Sequence, residues 1–212
     1  MDELRLILVR EDMSRGDYAR AERLCRERLE KEQTEGWYRP SQWQYLLYDI
    51  YRDGGQREEQ LQQARWLALL GDRDFYQTTK ELLTEDGRWQ EMYPGFLAEL
   101  KAARPAYEYM EILKLEGEVP LLMEQVRLNP KSVFCYGDVL TVQYREEVYR
   151  LCTAVIRKVS ERAGNRREYR ALCGLIKSLA DFGGQAEAKA MIAELRQRYP
   201  RRPALLDELG RV

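Results

Sequence analysis

Glycine-led breaks punctuate a chain that is otherwise patterned as helix from end to end. Gly16-Asp17-Tyr18-Ala19-Arg20-Ala21 opens one segment. Gly55-Gln56-Arg57, Asp86-Gly87-Arg88 and Gly183-Gly184-Gln185-Ala186-Glu187-Ala188 stand at comparable breaks. Between breaks the apolar residues follow the 3.6-residue period. Val148, Leu151, Cys152, Val155, Ile156 and Val159 fall at i, i+3, i+4, i+7, i+8 and i+11. Tyr169, Leu172, Cys173, Ile176, Leu179 and Ala180 continue the pattern, as do Ala188, Met191, Ile192, Leu195 and Tyr199. Such spacing puts one stripe of each helix into a core. Strand signals are nearly absent. Val133-Phe134-Cys135-Tyr136 is the best candidate, and it follows Asn129-Pro130 and Ser132, which read as a turn and a helix start.

The punctuation predicts helices over 2–13, 17–33, 41–53, 56–70, 73–84, 88–101, 105–116, 119–128, 132–143, 145–162, 166–181, 185–199 and 203–210. Ser41 and Asp72 are placed to cap helix starts, and Pro105 and Pro203 occupy first-turn positions where the missing N–H costs nothing. Pro94 falls inside 88–101 and is expected to kink or split that helix. Paired in order, the segments make about six antiparallel hairpins and a terminal helix. Their second helices begin near Gly16, Gly55, Gly87, Gly117, Arg145 and Gly184, in steps of 39, 32, 30, 28 and 39 residues. A hairpin cannot bury its apolar stripe alone, so the expected architecture is a stacked all-α solenoid with a C-terminal capping helix. Gln33–Pro40 is the longest irregular stretch and is too short to separate domains, so residues 1–212 read as one helical-repeat domain.

Two resemblances follow from these segments. The first is to tetratricopeptide repeats, in which a small residue follows the glycine of the second helix by five and proline closes the unit. Gly16 with Ala21, and Gly183 with Ala188, Leu195 and Pro200, match it; Gln60, five after Gly55, departs from it. The second covers nearly the whole chain. The segments Gly16–Glu32 (GDYARAERLCRERLEKE), Tyr48–Gly55 (YDIYRDGG), Thr84–Arg104, Leu122–Asp138 and Asp181–Val212 resemble the C-terminal helical region of bacterial SWIM zinc-finger proteins. That family is named for a CxC…CxH zinc motif. This chain has no CxC and no histidine, so no zinc ligand carries over. The resemblance implies an accessory region of a longer protein, or a finger-less relative. It also implies association with nucleic-acid or chromatin-like processes and with Swi/Snf-type helicases.

The residues exclude most chemistry. Without histidine there is no Ser-His-Asp or Cys-His mechanism and no His-containing zinc site. Glu58-Glu59, Glu146-Glu147 and Asp207-Glu208 are adjacent pairs that diverge by about 100° on a helix and do not converge on a substrate. No GxxxxGK or GxGxxG cradle occurs. The expectation is a non-enzymatic chain with no cofactor and no metal. Cys25, Cys135, Cys152 and Cys173 form no CxxC and sit among apolar residues, as small core hydrophobes. Cys152 and Cys173 on facing helices leave a redox bridge as the less favoured alternative. Apolar runs fall far short of the ~20 residues of a membrane span. The start Met1-Asp2-Glu3-Leu4-Arg5 is too charged for a signal peptide, so a cytoplasmic protein is expected.

Binding is the remaining class. The net charge is −1, yet residues 145–212 hold 15 basic and 9 acidic residues while residues 1–144 hold 20 and 27. Arg166, Arg167 and Arg170 begin one helix, and Arg196, Arg198, Arg201 and Arg202 end the next and enter its turn. Antiparallel packing gathers them at one edge, either as a solvated face or as an anion or nucleic-acid contact. Tyr45, Tyr48 and Tyr51 recur beside Trp43, and Tyr107 and Tyr109 precede Met110; such aromatics either pack repeats together or grip a peptide. Trp37 and Tyr38, in the irregular stretch, are the best candidates for an exposed aromatic contact. The leading expectation is a protein-interaction scaffold using Trp37, Tyr38, Tyr45, Tyr48 and Tyr107. The alternative is a nucleic-acid surface using Arg166, Arg167, Arg170, Arg198, Arg201 and Arg202. Leu4, Leu6, Ile7 and Leu8 are apolar for a terminal helix and suggest a missing preceding repeat or a dimer contact.

Overall fold

The computed structural model describes residues 2–34 and 40–212, and among these it is all-helical. Packing divides the chain into two compact units, Met1–Pro105 and Ala106–Val212. The first holds α1 (Asp2–Ser14), α2 (Tyr18–Thr34), α3 (Gln42–Asp53), α4 (Arg57–Leu69), α5 (Arg73–Glu85) and α6 (Trp89–Ala103). The second holds α7 (Ala106–Leu115), α8 (Val119–Leu128), α9 (Val133–Arg162), α10 (Arg166–Asp181), α11 (Gln185–Arg198) and α12 (Pro203–Leu209). Within each unit, helices pack chiefly on their neighbours in sequence: α1 on α2, α2 on α3 and so on to α6, and α7 on α8 through α11, with α12 returning to α10. No helix among the described residues is long and apolar enough to cross a membrane.

The glycine breaks share one backbone geometry. Gly16, Gly55, Gly71, Gly87, Gly117 and Gly183 all have positive φ. At the second of these, Gly55 N–H donates to Arg52 O (3.2 Å) and Gln56 N–H to Tyr51 O (2.8 Å). This is the Schellman ending of a helix, in which a left-handed glycine lets the chain satisfy the last carbonyls and turn away. The same i→i−3 and i→i−5 pair of bonds recurs at the other five. The residue five before each turn's exit faces the core: Tyr51, Leu67, Leu83, Leu113 and Leu179 are all buried apolar side chains there. In the first turn that position is Asp12, also buried.

Unit 1 is built around α3, which is apolar on two sides. Trp43, Leu47, Ile50 and Tyr51 pack with Val9 of α1 and Ala21, Cys25 and Leu29 of α2. Tyr48 faces the other way, onto Leu61, Ala64 and Leu67 of α4 and Leu82 and Leu83 of α5. On α1, Leu6 packs against the core, but Leu4, Ile7 and Leu8 stay exposed.

Four local expectations are corrected. Ser41 sits at the N-cap of α3, but its hydroxyl makes no cap bond; it donates to Glu32 Oε2 (2.6 Å) instead. Pro94 does not split its helix, since α6 runs as one element through it. Pro94 and Gln90, whose carbonyl loses its intrahelical donor, are both exposed residues. Cys135 is exposed, whereas Cys25, Cys152 and Cys173 are buried, and all four are free. The break expected between 132–143 and 145–162 is real but not a loop: α9 continues across non-helical Tyr144 (φ −124°, ψ 33°). Arg127 of α8 fixes this bend. Its guanidinium lies over the Tyr144 ring (5.7 Å) and forks onto Glu147 (2.9 and 2.8 Å).

Candidate functional site

The residues singled out from the sequence fall into three groups. Trp37 and Tyr38 lie outside the described residues. Tyr45 and Tyr48 come together on Phe75, as helix packing. The Tyr48 ring meets Phe75 edge-on (4.8 Å) and its hydroxyl accepts from Gln60 Nε2 (3.1 Å). Tyr45 tilts over the same ring (5.7 Å) and donates to Asp72 Oδ2 (3.0 Å). Tyr107, in unit 2, is exposed and donates to neighbouring Glu108 (2.7 Å).

The arginines of unit 2 do gather, but most are already engaged. Arg166 pairs with Asp207 and with Glu208 (3.4 Å), and Arg170 with Glu208 (3.3 Å). Arg211 joins the same carboxylates (3.1 and 3.9 Å). Arg198 pairs with Glu161 (2.9 Å). Arg202 donates to the carbonyls of Ser160 (3.3 Å) and Ala163 (2.9 Å) while lying over the Tyr199 ring (4.2 Å). Arg167 and Arg201 are exposed and make no ion pair among the described residues. This edge therefore works first as a fastening of α12 and the α11–α12 turn onto α9 and α10.

A different constellation appears in unit 1. Three helices contribute parallel stripes to one cavity of about 350 Å³. From α2 come Arg26, Leu29 and Glu30; from α3 Gln44, Leu47 and Tyr51; from α4 Glu59, Gln62, Gln63 and Trp66. The spacings are those of single helix faces, i, i+3, i+4 and i+7. The α4 stripe lies beside the face that buries Leu61, Ala64, Leu67 and Ala68. Leu29, Leu47 and Tyr51 form the apolar floor, and Trp66 remains 40% exposed at the rim.

Polar groups on the floor are held in place. Gln63 Nε2 donates to Gln44 O (3.1 Å) and Gln44 Oε1 (2.9 Å). Arg26 donates to Glu22 Oε1 (2.7 Å) and to the Tyr51 hydroxyl (2.6 Å), which in turn donates to Glu22 (3.0 Å). Burial works against the Glu22 carboxylate, but hydrogen bonds from Arg26 and Tyr51 outweigh it and hold its pKa below the ordinary value. Burial, with the Glu22 hydrogen bond and charge, pushes the Tyr51 phenol up to about 12. The Arg26 charge is thus spent within its own network. Glu30 and Glu59, in contrast, have no ion-pair partner among the described residues.

Sequence spacing does not single out Glu30, Gln44, Gln62, Gln63 or Trp66, and it marks Glu59 only as half of a diverging acidic pair. For the α4 residues alone there is a signal, a polar stripe that carries a tryptophan off the buried face. No group of three or more His, Cys, Asp or Glu among the described residues is arranged to hold a metal ion. Comparison with known protein families, curated proteins and solved structures gives no match.

Proposed function

We propose that this chain is a non-catalytic, tetratricopeptide-like helical-repeat scaffold that binds a segment of a partner protein in the groove over α3. The observation that carries the reading is the cavity bounded by α2, α3 and α4, with its apolar floor, ordered amides and exposed Trp66. Tryptophan at the rim of a concave surface supplies large contact area at small entropic cost. The six matching Schellman turns support the helical-hairpin array. The sequence resemblance to the C-terminal region of SWIM zinc-finger proteins supports an accessory, cytoplasmic role in a larger assembly.

The test is selection of random dodecapeptides on the intact chain. One enriched consensus is expected, with binding weakened at least about tenfold by Trp66→Ala, worth about 1.4 kcal/mol, and with the melting temperature preserved. Failure to enrich any consensus overturns the reading. A nucleic-acid surface is the second reading, favoured by Arg167 and Arg201, whose charges no carboxylate among the described residues takes up. It requires affinity that falls steeply with salt and is abolished by Arg167→Glu with Arg201→Glu.

A further inference from the structure

We infer that the occupant of this groove is a cationic side chain, specifically an arginine of the partner segment, seated against Trp66 and neutralised by Glu30 and Glu59. The inference rests on the peptide-binding reading above and names the chemistry of its anchor.

The charge count at the cavity sets the sign. Its lining has one cation, Arg26, and two carboxylates, Glu30 and Glu59. Arg26 is consumed by Glu22 and by Tyr51, at hydrogen-bond distances of 2.7 and 2.6 Å. Among the described residues the two carboxylates have no counter-charge, one on each helix flanking α3. Elsewhere in unit 1 the exposed carboxylates of Glu58, Glu85 and Glu99 are matched by Arg88, Arg57 and Arg65. Glu3, Asp74 and Glu91 also lack an ion pair among the described residues, but only Glu30 and Glu59 of these unmatched acids line the cavity.

The size and walls select among cations. A cavity of about 350 Å³ is at the small end of ligand sites and suits one or two side chains. An indole face attracts a cation by its quadrupole, and guanidinium is the commoner partner because its plane also stacks. Its five N–H donors can serve two carboxylates from different helices at once, which an ammonium does less well. The methylene stem would lie on the floor of Leu29 and Leu47. An acidic or phosphorylated segment would meet two unpaired carboxylates and be repelled.

The probe is Nα-acetyl-arginine amide, titrated at constant ionic strength into the full chain labelled at tryptophan. The Trp66 indole N–H signal is assigned with Trp66→Phe. The citrulline analogue, which keeps the shape and loses the charge, is the control. The Trp66 signal should shift saturably with arginine, and citrulline should bind at least about tenfold more weakly. Glu30→Gln with Glu59→Gln should erase that preference without moving the melting temperature, because both side chains are exposed. An equal response to arginine and citrulline, or no response at Trp66, overturns the inference. The peptide selection separates the two levels. A Trp66-dependent consensus lacking arginine and lysine leaves the groove as a peptide site and removes its cationic anchor. No consensus at all removes both.

Discussion

Each unit buries a carboxylate near a helix end, Glu208 in unit 2 and, beside Glu32, Asp12 in unit 1, and Glu208 and Asp12 are treated oppositely. In unit 2, Glu208 of α12 is 5% exposed and meets Arg166, Arg170 and Arg211. In unit 1, Asp12 of α1 is 3% exposed; Arg20 stands 3.4 Å from Oδ1, and buried Oδ2 has no hydrogen-bond partner among the described residues. Glu208 is a fastening, since α12 has only seven residues and needs more than its two buried leucines to stay on α10. Asp12 stands where the other Schellman turns place Tyr51, Leu67, Leu83, Leu113 or Leu179. A buried carboxylate stabilises only as far as its neighbours replace the water it lost.

The contrast predicts substitutions of opposite sign. Glu208→Ala removes the shared acceptor of three arginines and should lower the unfolding free energy by about 2 kcal/mol, discounted for the exposure of the arginines. Urea denaturation measures it, and an unchanged midpoint would mean that α12 is held by Leu205 and Leu209 alone. Asp12→Leu restores the apolar residue of the other turns and should raise stability by about 1 kcal/mol. A loss of stability instead would show that the Arg20 pair outweighs the orphaned oxygen. Because the two sites lie in different units, the double variant should be additive within about 0.5 kcal/mol.

Alkaline pH should weaken both units, because both bury thiols. Burial raises Cys25 in unit 1 and Cys152 in unit 2 to about 12, from an ordinary value of 9.0. The folded state holds these protons more tightly than the unfolded chain does. Their stabilisation is therefore complete below pH 9 and is lost as pH rises toward 12, and in unit 2 buried Cys173, also raised by burial, adds to the loss. Stability followed from pH 8 to 11 should fall in step for Asp12→Leu and Glu208→Ala. The smallest effect is chemical: at pH 8 one thiol of the native chain, exposed Cys135, should react quickly with a disulfide reagent, against four after unfolding.

Much of the helix order was legible because amphipathic period and glycine breaks are local properties. Asp72 illustrates this: read as a cap, it accepts from the N–H groups of Asp74 and Phe75 (3.1 and 3.3 Å). Gly71 is not marked by any spacing rule that sets it apart from an ordinary connection, yet its backbone matches the other five. Ser41 shows the limit of local rules, since a hydroxyl able to cap α3 found the Glu32 carboxylate of α2 instead. The groove was illegible for the same reason. Glu30, Gln44 and Trp66 come from three helices, and only packing decides which stripes share a cavity. The arginine edge was legible as an assembly, but its partners Asp207 and Glu208 were read as a diverging pair of acids.

The repeated helix ending has a kinetic consequence. Each Schellman turn closes within six residues, and helices pack mainly on those next to them in the chain. Few long loops must close before contacts begin to repay their entropy, so the topological barrier is low. Refolding should be fast and should begin at any of several hairpins. A Cβ added at Gly16, Gly55, Gly87 or Gly117 meets no atom within 4 Å, so a Gly→Ala substitution there costs only backbone strain. Such variants make the turns separately adjustable, and a turn formed in the transition state will show its strain as slower folding rather than faster unfolding.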